Sequence, residues 1–277
     1  MRVGIFAKTF TGTDPKGVFG KIAAAGFDST QWNWACAGFP SMPSDIASKD
    51  CLNVTKAAKS FGIEITAVSG TFNMAHPEAI VRQTGLAQLK QIIATAPLIG
   101  TSLVTLCTGS RNPSDQWARH PKNGSKEAWS DFINTLTPAI ESAEENNVFL
   151  GIEPELGNVV STPKHARMLI DDLQSDRLRI VIDPANLVEI ASGLERKRVI
   201  VEAVELLADR ISLAHAKDRK LGGQVAPAGE GIIDFHHYFS TLRTFGYDGE
   251  IICHGLHEHE AIGVSRFIKS ILHEVTR

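Results

Sequence analysis

Four short apolar runs in the second half of the chain each stop at residues able to hold a cation or move a proton. "VFLGIEPE" (148–155) ends at Glu153 and Glu155, and "LRIVIDPANL" (178–187) at Asp183 and Asn186. "ISLAHAKD" (211–218) ends at His215, Lys217 and Asp218, and "EIICHG" (250–255) at His254. Strand side chains alternate in direction. Glu153 and Glu155 therefore share a face, as do His215 and Lys217, while Ile152, Ile182, Ala214 and Cys253 point the other way. One such residue alone is an ordinary loop anchor. Several carboxylates gathered together are costly to bury unless a cation compensates them. One divalent metal ion held by Glu153, Asp183, His215 and His254 meets that need. The bland alternative is a hydrogen-bonded polar cluster without metal. Mixed carboxylate and imidazole donors suit Mn first, then Co, Zn or Fe(II), better than Mg, which remains a possible occupant but favours an all-oxygen shell.

These runs belong to a longer alternation. Before them come "RVGIFA" (2–7), "STQWNW" (29–34), "EITAVSG" (64–70) and "SLVTLCTG" (102–109), each followed by a helical pattern. The first helix opens at Asp14-Pro15 and ends at Gly26, start and stop signals in their usual places. The others fall at 44–61, 77–96, 125–146, from Thr162-Pro163, 195–209, 234–245 and 259–275. Eight strand–helix pairs in 277 residues predict an α/β fold, a single (β/α)8 TIM barrel spanning 1–277 as one domain. No GxGxxG follows the first strand, which disfavours an open dinucleotide-binding sheet. In a barrel the active site lies at the C-terminal ends of the strands, so the residues above converge on one mouth. Lys8 ends the first strand and Asn33-Trp34 the second, with Trp34 as the expected pocket wall. Loops after the third and fourth strands add Asn73, His76, Arg111, Trp117 and His120, and the second of these is long enough for a lid.

Bulk properties narrow the partners. Net charge is −3, from 28 basic and 31 acidic residues without a dense basic block, which argues against nucleic acid. No apolar run is long enough to span a bilayer and the start lacks a signal-peptide pattern, so no membrane association is expected. Four scattered cysteines without a CxxC pair predict reduced thiols and a cytoplasmic location.

With "IEPE", "VIDPAN", "HAKD" and "APAGEGIIDF" in this order, the chain resembles the xylose-isomerase-like TIM-barrel family, the sugar phosphate isomerases and epimerases. The resemblance spans the whole chain and is strongest over 148–256. It implies metal ligation by Glu153, Asp183 and His215, and a homo-dimer or homo-tetramer. The departure is His254, where the family's ketose epimerases carry a second glutamate that is both ligand and base. Two neutral histidines in place of one histidine and one glutamate leave the metal a stronger Lewis acid, but a bound imidazole is a poor base. Proton transfer then falls to Glu155 or His120 beside Glu153, with Lys217 stabilising negative charge. Lys8, Trp34, Asn73, His76, Arg111, Trp117, Asn186 and Asp218 are the expected substrate contacts. His257 and His259 are expected to be solvated residues at the start of the last helix.

The implied activity is a metal-dependent isomerase or epimerase acting on a keto-sugar or sugar phosphate through a metal-stabilised enediolate. The alternatives are a lyase of the same superfamily acting on a 3-keto sugar, keto-inositol or sugar acid, and a non-catalytic sugar-binding barrel. Abasic-site endonucleases share the barrel, but neither their extra ligands nor their basic face is evident here.

Overall fold

Local signals set the helix starts. Asp14, Ser125, Thr162 and Asp234 each accept a backbone N–H of the first helical turn, and proline occupies the first turn at Pro15 and Pro163. Such caps satisfy donors that the helix itself cannot. The resulting helices are α1 (Pro15–Ala24), α2 (Ser48–Phe61), α3 (Ala79–Thr95), α4 (Lys126–Glu145), α5 (Pro163–Leu173), α6 (Gly193–Leu207), α7 (Phe235–Thr244) and α8 (Ala261–Val275). They alternate with strands β1 (Arg2–Phe6), β2 (Ser29–Trp32), β3 (Glu64–Ser69), β4 (Leu103–Leu106), β5 (Phe149–Ile152), β6 (Leu178–Ile182), β7 (Ile211–Ala216) and β8 (Glu250–Cys253).

In the computed structural model, which describes residues 1–189 and 191–276, these strands form a closed parallel barrel, with β8 pairing back onto β1. The fold is a single (β/α)8 TIM barrel. The sequence expectation for β2 runs two residues too far: a 3-10 turn begins at Trp34. A two-stranded ribbon, Asp218–Arg219 against Val225–Ala226, follows β7.

The period of two along each strand sorts the core into two layers. Ala67, Leu103, Val181, Leu213 and Ile252 form a small cluster with Phe6 and Phe149, separate from the main core. Ile152, Ile182, Ala214 and Cys253 belong to the large cluster shared with the helices. Asp183, His215 and His254 each lie two residues beyond a member of the small inner cluster, so they continue the inward-facing row to the barrel's C-terminal end. All four cysteines are free and buried. Among the described residues, no helix is long and apolar enough to cross a membrane.

The inner cluster is small, so each member matters. Ile252→Ala should cost about 2–5 kcal/mol, read as a lower denaturation midpoint with an unchanged denaturant slope.

Candidate active site

The inward row ends in a cavity of about 680 Å³ at the C-terminal mouth of the barrel. Glu153 directly follows β5, Asp183 follows β6, and His215 lies near the end of β7. One donor atom from each falls within 4.8 Å of the others. Local sequence builds this placement. In "DPAN", Asp183 Oδ1 accepts the Ala185 N–H at 2.9 Å and Pro184 starts a single helical turn. That turn brings Asn186 back over the site, where its Nδ2 donates to Glu153 Oε1 at 2.9 Å.

The histidine is oriented from across the barrel. Gln31 Nε2 donates to Thr105 Oγ1 at 3.1 Å, which turns Gln31 Oε1 toward His215 Nε2 at 3.0 Å. His215 Nε2–H is therefore the donor, and Nδ1 faces Glu153 Oε1 at 3.4 Å and Asp183 Oδ2 at 3.7 Å. His215 Nδ1 is buried without a hydrogen-bond partner, whereas the buried Asp183 Oδ2 is paired with the Lys217 ammonium. An unbonded imidazole nitrogen facing two carboxylates, with the other imidazole nitrogen held by an outer partner, fits a bound divalent cation.

Electrostatics divides the groups. Burial opposes charging His215, but the carboxylates of Glu153 and Asp183 outweigh it and hold its pKa up to about 9. Burial, together with the charges of Lys217 and His215, pushes His254 down to about 3. Its imidazole is neutral over the whole working range. Burial and then the adjacent Glu153 carboxylate push Glu155 well above the usual carboxylate range. Lys217 Nζ lies 2.7 Å from Asp183 Oδ2 and donates to Asn186 Oδ1 at 3.1 Å. Burial raises the energy of Asp183's carboxylate, yet Lys217 and His215 keep its pKa far below normal.

Several sequence-singled residues meet here. Glu153, Glu155, His215, Lys217, His254, Asn186, Lys8 and Trp117 all line the cavity, and Asp183 lies beneath it. His254 stands edge-on to His215 with ring centroids 5.3 Å apart. Among the described residues, the tight donor cluster is Glu153, Asp183 and His215, without His254.

Other expected contacts are corrected. Trp34 is fully buried and packs edge-on against Phe39. Asn33 starts that turn by accepting the Ala35 N–H, which carries Trp34 into the core. Asn73 Oδ1 accepts from Ser110 N and its Nδ2 donates to Asn112 O. His76 accepts from Glu78 N and bonds Pro113 O. Both therefore brace the loop after β4 and border a separate surface groove. Arg111 is buried between Asp131 at 2.6 Å and Glu127 at 3.0 Å. His120 lies off the cavity, its Nδ1 accepting from Lys122 N. Asp218 is completely buried and gathers the N–H groups of Arg219, Gly229, Gly231 and Ile233. The glycines of "PAGEGIID" approach Asp218: a Cβ on Gly231 would clash with Asp218 Oδ1. His257 and His259 are exposed, the first capping and the second lying within the 3-10 turn before α8.

Residues missed in the sequence include Gln31, Gln116, Arg119, Glu189 and Arg219, all lining the cavity. Glu189 pairs at 3.5 Å with both Arg119 and Arg219, joining the loops after β4, β6 and β7. The alternation that selected Asn33 also places Gln31 two residues earlier on the same face, the one signal that was available.

Residues 19–270 match the family model described as xylose isomerase-like TIM barrel. Among solved structures, a D-tagatose 3-epimerase-like protein aligns with TM-score 0.79 at 21% identity over 100% of this chain and 98% of that one. The 3-keto-D-glucoside 4-epimerase of E. coli aligns with TM-score 0.75 at 18% identity, over 100% and 99%. An L-ribulose 3-epimerase aligns with TM-score 0.76 at 16% identity, over 99% and 94%. At these identities the likeness is one of fold. Among curated proteins there is no match.

The raised pKa of His215 fixes a sign for metal uptake. With a pKa of about 9 the metal-free imidazolium must lose a proton before Nδ1 can ligate. Metal binding at pH 7 should release about one proton from this residue. Affinity should rise roughly tenfold per pH unit and level off above about pH 9. Calorimetry in buffers of different ionisation enthalpy measures the proton count; a pH-independent affinity between 6 and 9 would contradict the assignment.

Proposed function

This chain belongs to the xylose isomerase-like TIM barrel family, and on that footing we propose that it is a divalent-metal-dependent sugar isomerase or epimerase. The observation that carries this is the buried cluster of Glu153, Asp183 and His215, with the unbonded His215 Nδ1 facing both carboxylates, at the floor of a 680 Å³ cavity. His254, neutral and lining the same cavity, would be the fourth donor, and Mn the first-choice ion for two carboxylates and two imidazoles. When bound, such an ion supplies Lewis acidity that lowers the pKa of a C–H beside a carbonyl.

The chain's own residues supply the rest. Glu155 lines the cavity beside Glu153. Burial and the neighbouring Glu153 raise its pKa, which makes it a stronger base toward an acidified C–H than an ordinary carboxylate. His120, outside the cavity, leaves that role to Glu155. Asn186 holds Glu153 and Lys217 in place. Lys8 and the half-exposed Trp117 lie on the cavity wall, where an aromatic face and an ammonium suit a polyhydroxylated carbohydrate. The activities named for the structural relatives, epimerisations of keto-sugars and a keto-glucoside, support a small carbohydrate substrate. Four buried free thiols support a reducing, cytoplasmic setting.

One observation favours a second reading. His254 stands at the end of β8 with its pKa near 3, so it cannot serve as a second acid–base partner. A single working carboxylate suits a one-base elimination, the lyase reaction, as well as an epimerisation run by one shuttling group.

Elemental analysis before and after chelation, with deuterium exchange followed on a panel of keto-hexoses and 3-keto sugars, tests both. His215→Ala or Asp183→Ala should lose metal and activity together. Glu155→Gln should keep its metal and lose turnover by about 10²–10⁴-fold. His254→Glu should keep its metal. Full activity in a metal-free protein would overturn the proposal.

A further inference from the structure

Lys217 presents a problem for any cation that enters this centre. Asp183 Oδ1 is committed to the Ala185 N–H, so Oδ2 is the oxygen left to ligate a metal. The Lys217 ammonium lies 2.7 Å from that same oxygen. The lysine cannot readily withdraw. Its stem packs against Gly255, whose added Cβ would come within 3.0 Å of Lys217 Cγ and 3.2 Å of Cδ. Its neighbour Asp218 is tied down by four backbone N–H groups. Its ammonium also donates to Asn186 Oδ1 at 3.1 Å, and the residue is buried. Lys217 therefore supplies a fixed positive charge that offsets Glu153 and Asp183 before any metal binds, and it stays in the centre after one does.

We propose that Lys217 is a resident counter-cation: it keeps the donors assembled without metal and holds metal affinity down, so that the ion exchanges readily. This rests on the proposed metal centre. The physical basis is the sharing of one carboxylate oxygen by two cations at a buried position, where like-charge repulsion is weakly screened. Lys217 acts here as a positioning residue through Asp183. A purely structural lysine would have the opposite signature, because its loss would scatter the donors and weaken binding.

The test is Mn²⁺ affinity, measured by competition with a chromophoric chelator, for the wild-type protein, Lys217→Met and Lys217→Gln, with thermal unfolding of each protein in chelator and in Mn²⁺. The neutral variants should bind Mn²⁺ at least tenfold more tightly than wild type. They should melt lower than wild type without metal and gain more from adding it. Equal or weaker binding in both variants, beside normal wild-type binding, would overturn the counter-cation and leave the metal centre standing. Failure of wild type and both variants to bind Mn²⁺ would overturn both.

Discussion

Two carboxylates, Glu153 and Asp183, converge within a few ångströms at the buried end of the barrel, and everything around them answers that repulsion. His215 and Lys217 offset the charge, Asn186 bridges Glu153 to Lys217, and the Ala185 N–H takes one oxygen of Asp183. Uncompensated charge at this depth would not survive folding. The outer partners serve the same end at one remove: Gln31, fixed by Thr105, decides which nitrogen of His215 faces the carboxylates. Chemistry and stability therefore draw on the same few contacts, which is why the site's residues come from strands on opposite sides of the barrel.

Much of this was legible in the sequence, because a period of two is a local property. Once "LRIVID" and "ISLAHA" are taken as strands, Asp183 and His215 must face the way Val181 and Leu213 face, and the inner cluster contains both of those residues. Caps were equally legible, since Asp14 and Thr162 bond to N–H groups three residues on. The eight-unit alternation then followed from counting.

Contacts between distant segments were not legible. Arg111 looked like a substrate contact in a long loop, but Asp131 and Glu127 on the next helix claim it. Asp218 looked like one more substrate contact beside "HAK", but backbone donors from residues 229–233 enclose it. Trp34 failed by parity: alternation places it with Trp32, opposite Gln31 and Asn33, and both tryptophans are buried in the outer core. Gln31 went unmarked because an amide carries no charge, and its importance comes wholly from a partner 184 residues away.

The knot around Asp218 has a consequence for how this barrel could change its substrates. The carboxylate binds both the start and the return of the excursion after β7, and so separates the ribbon of residues 219–226 from the strands beneath. That ribbon contributes Arg219 and Val225 to the cavity rim. Its tip can be lengthened, shortened or exchanged for another without shifting His215, because the ring of N–H groups forms below it. The rim is thus a replaceable module on a fixed reactive floor, and a graft between relatives would have its natural seams at Arg219 and Ala226.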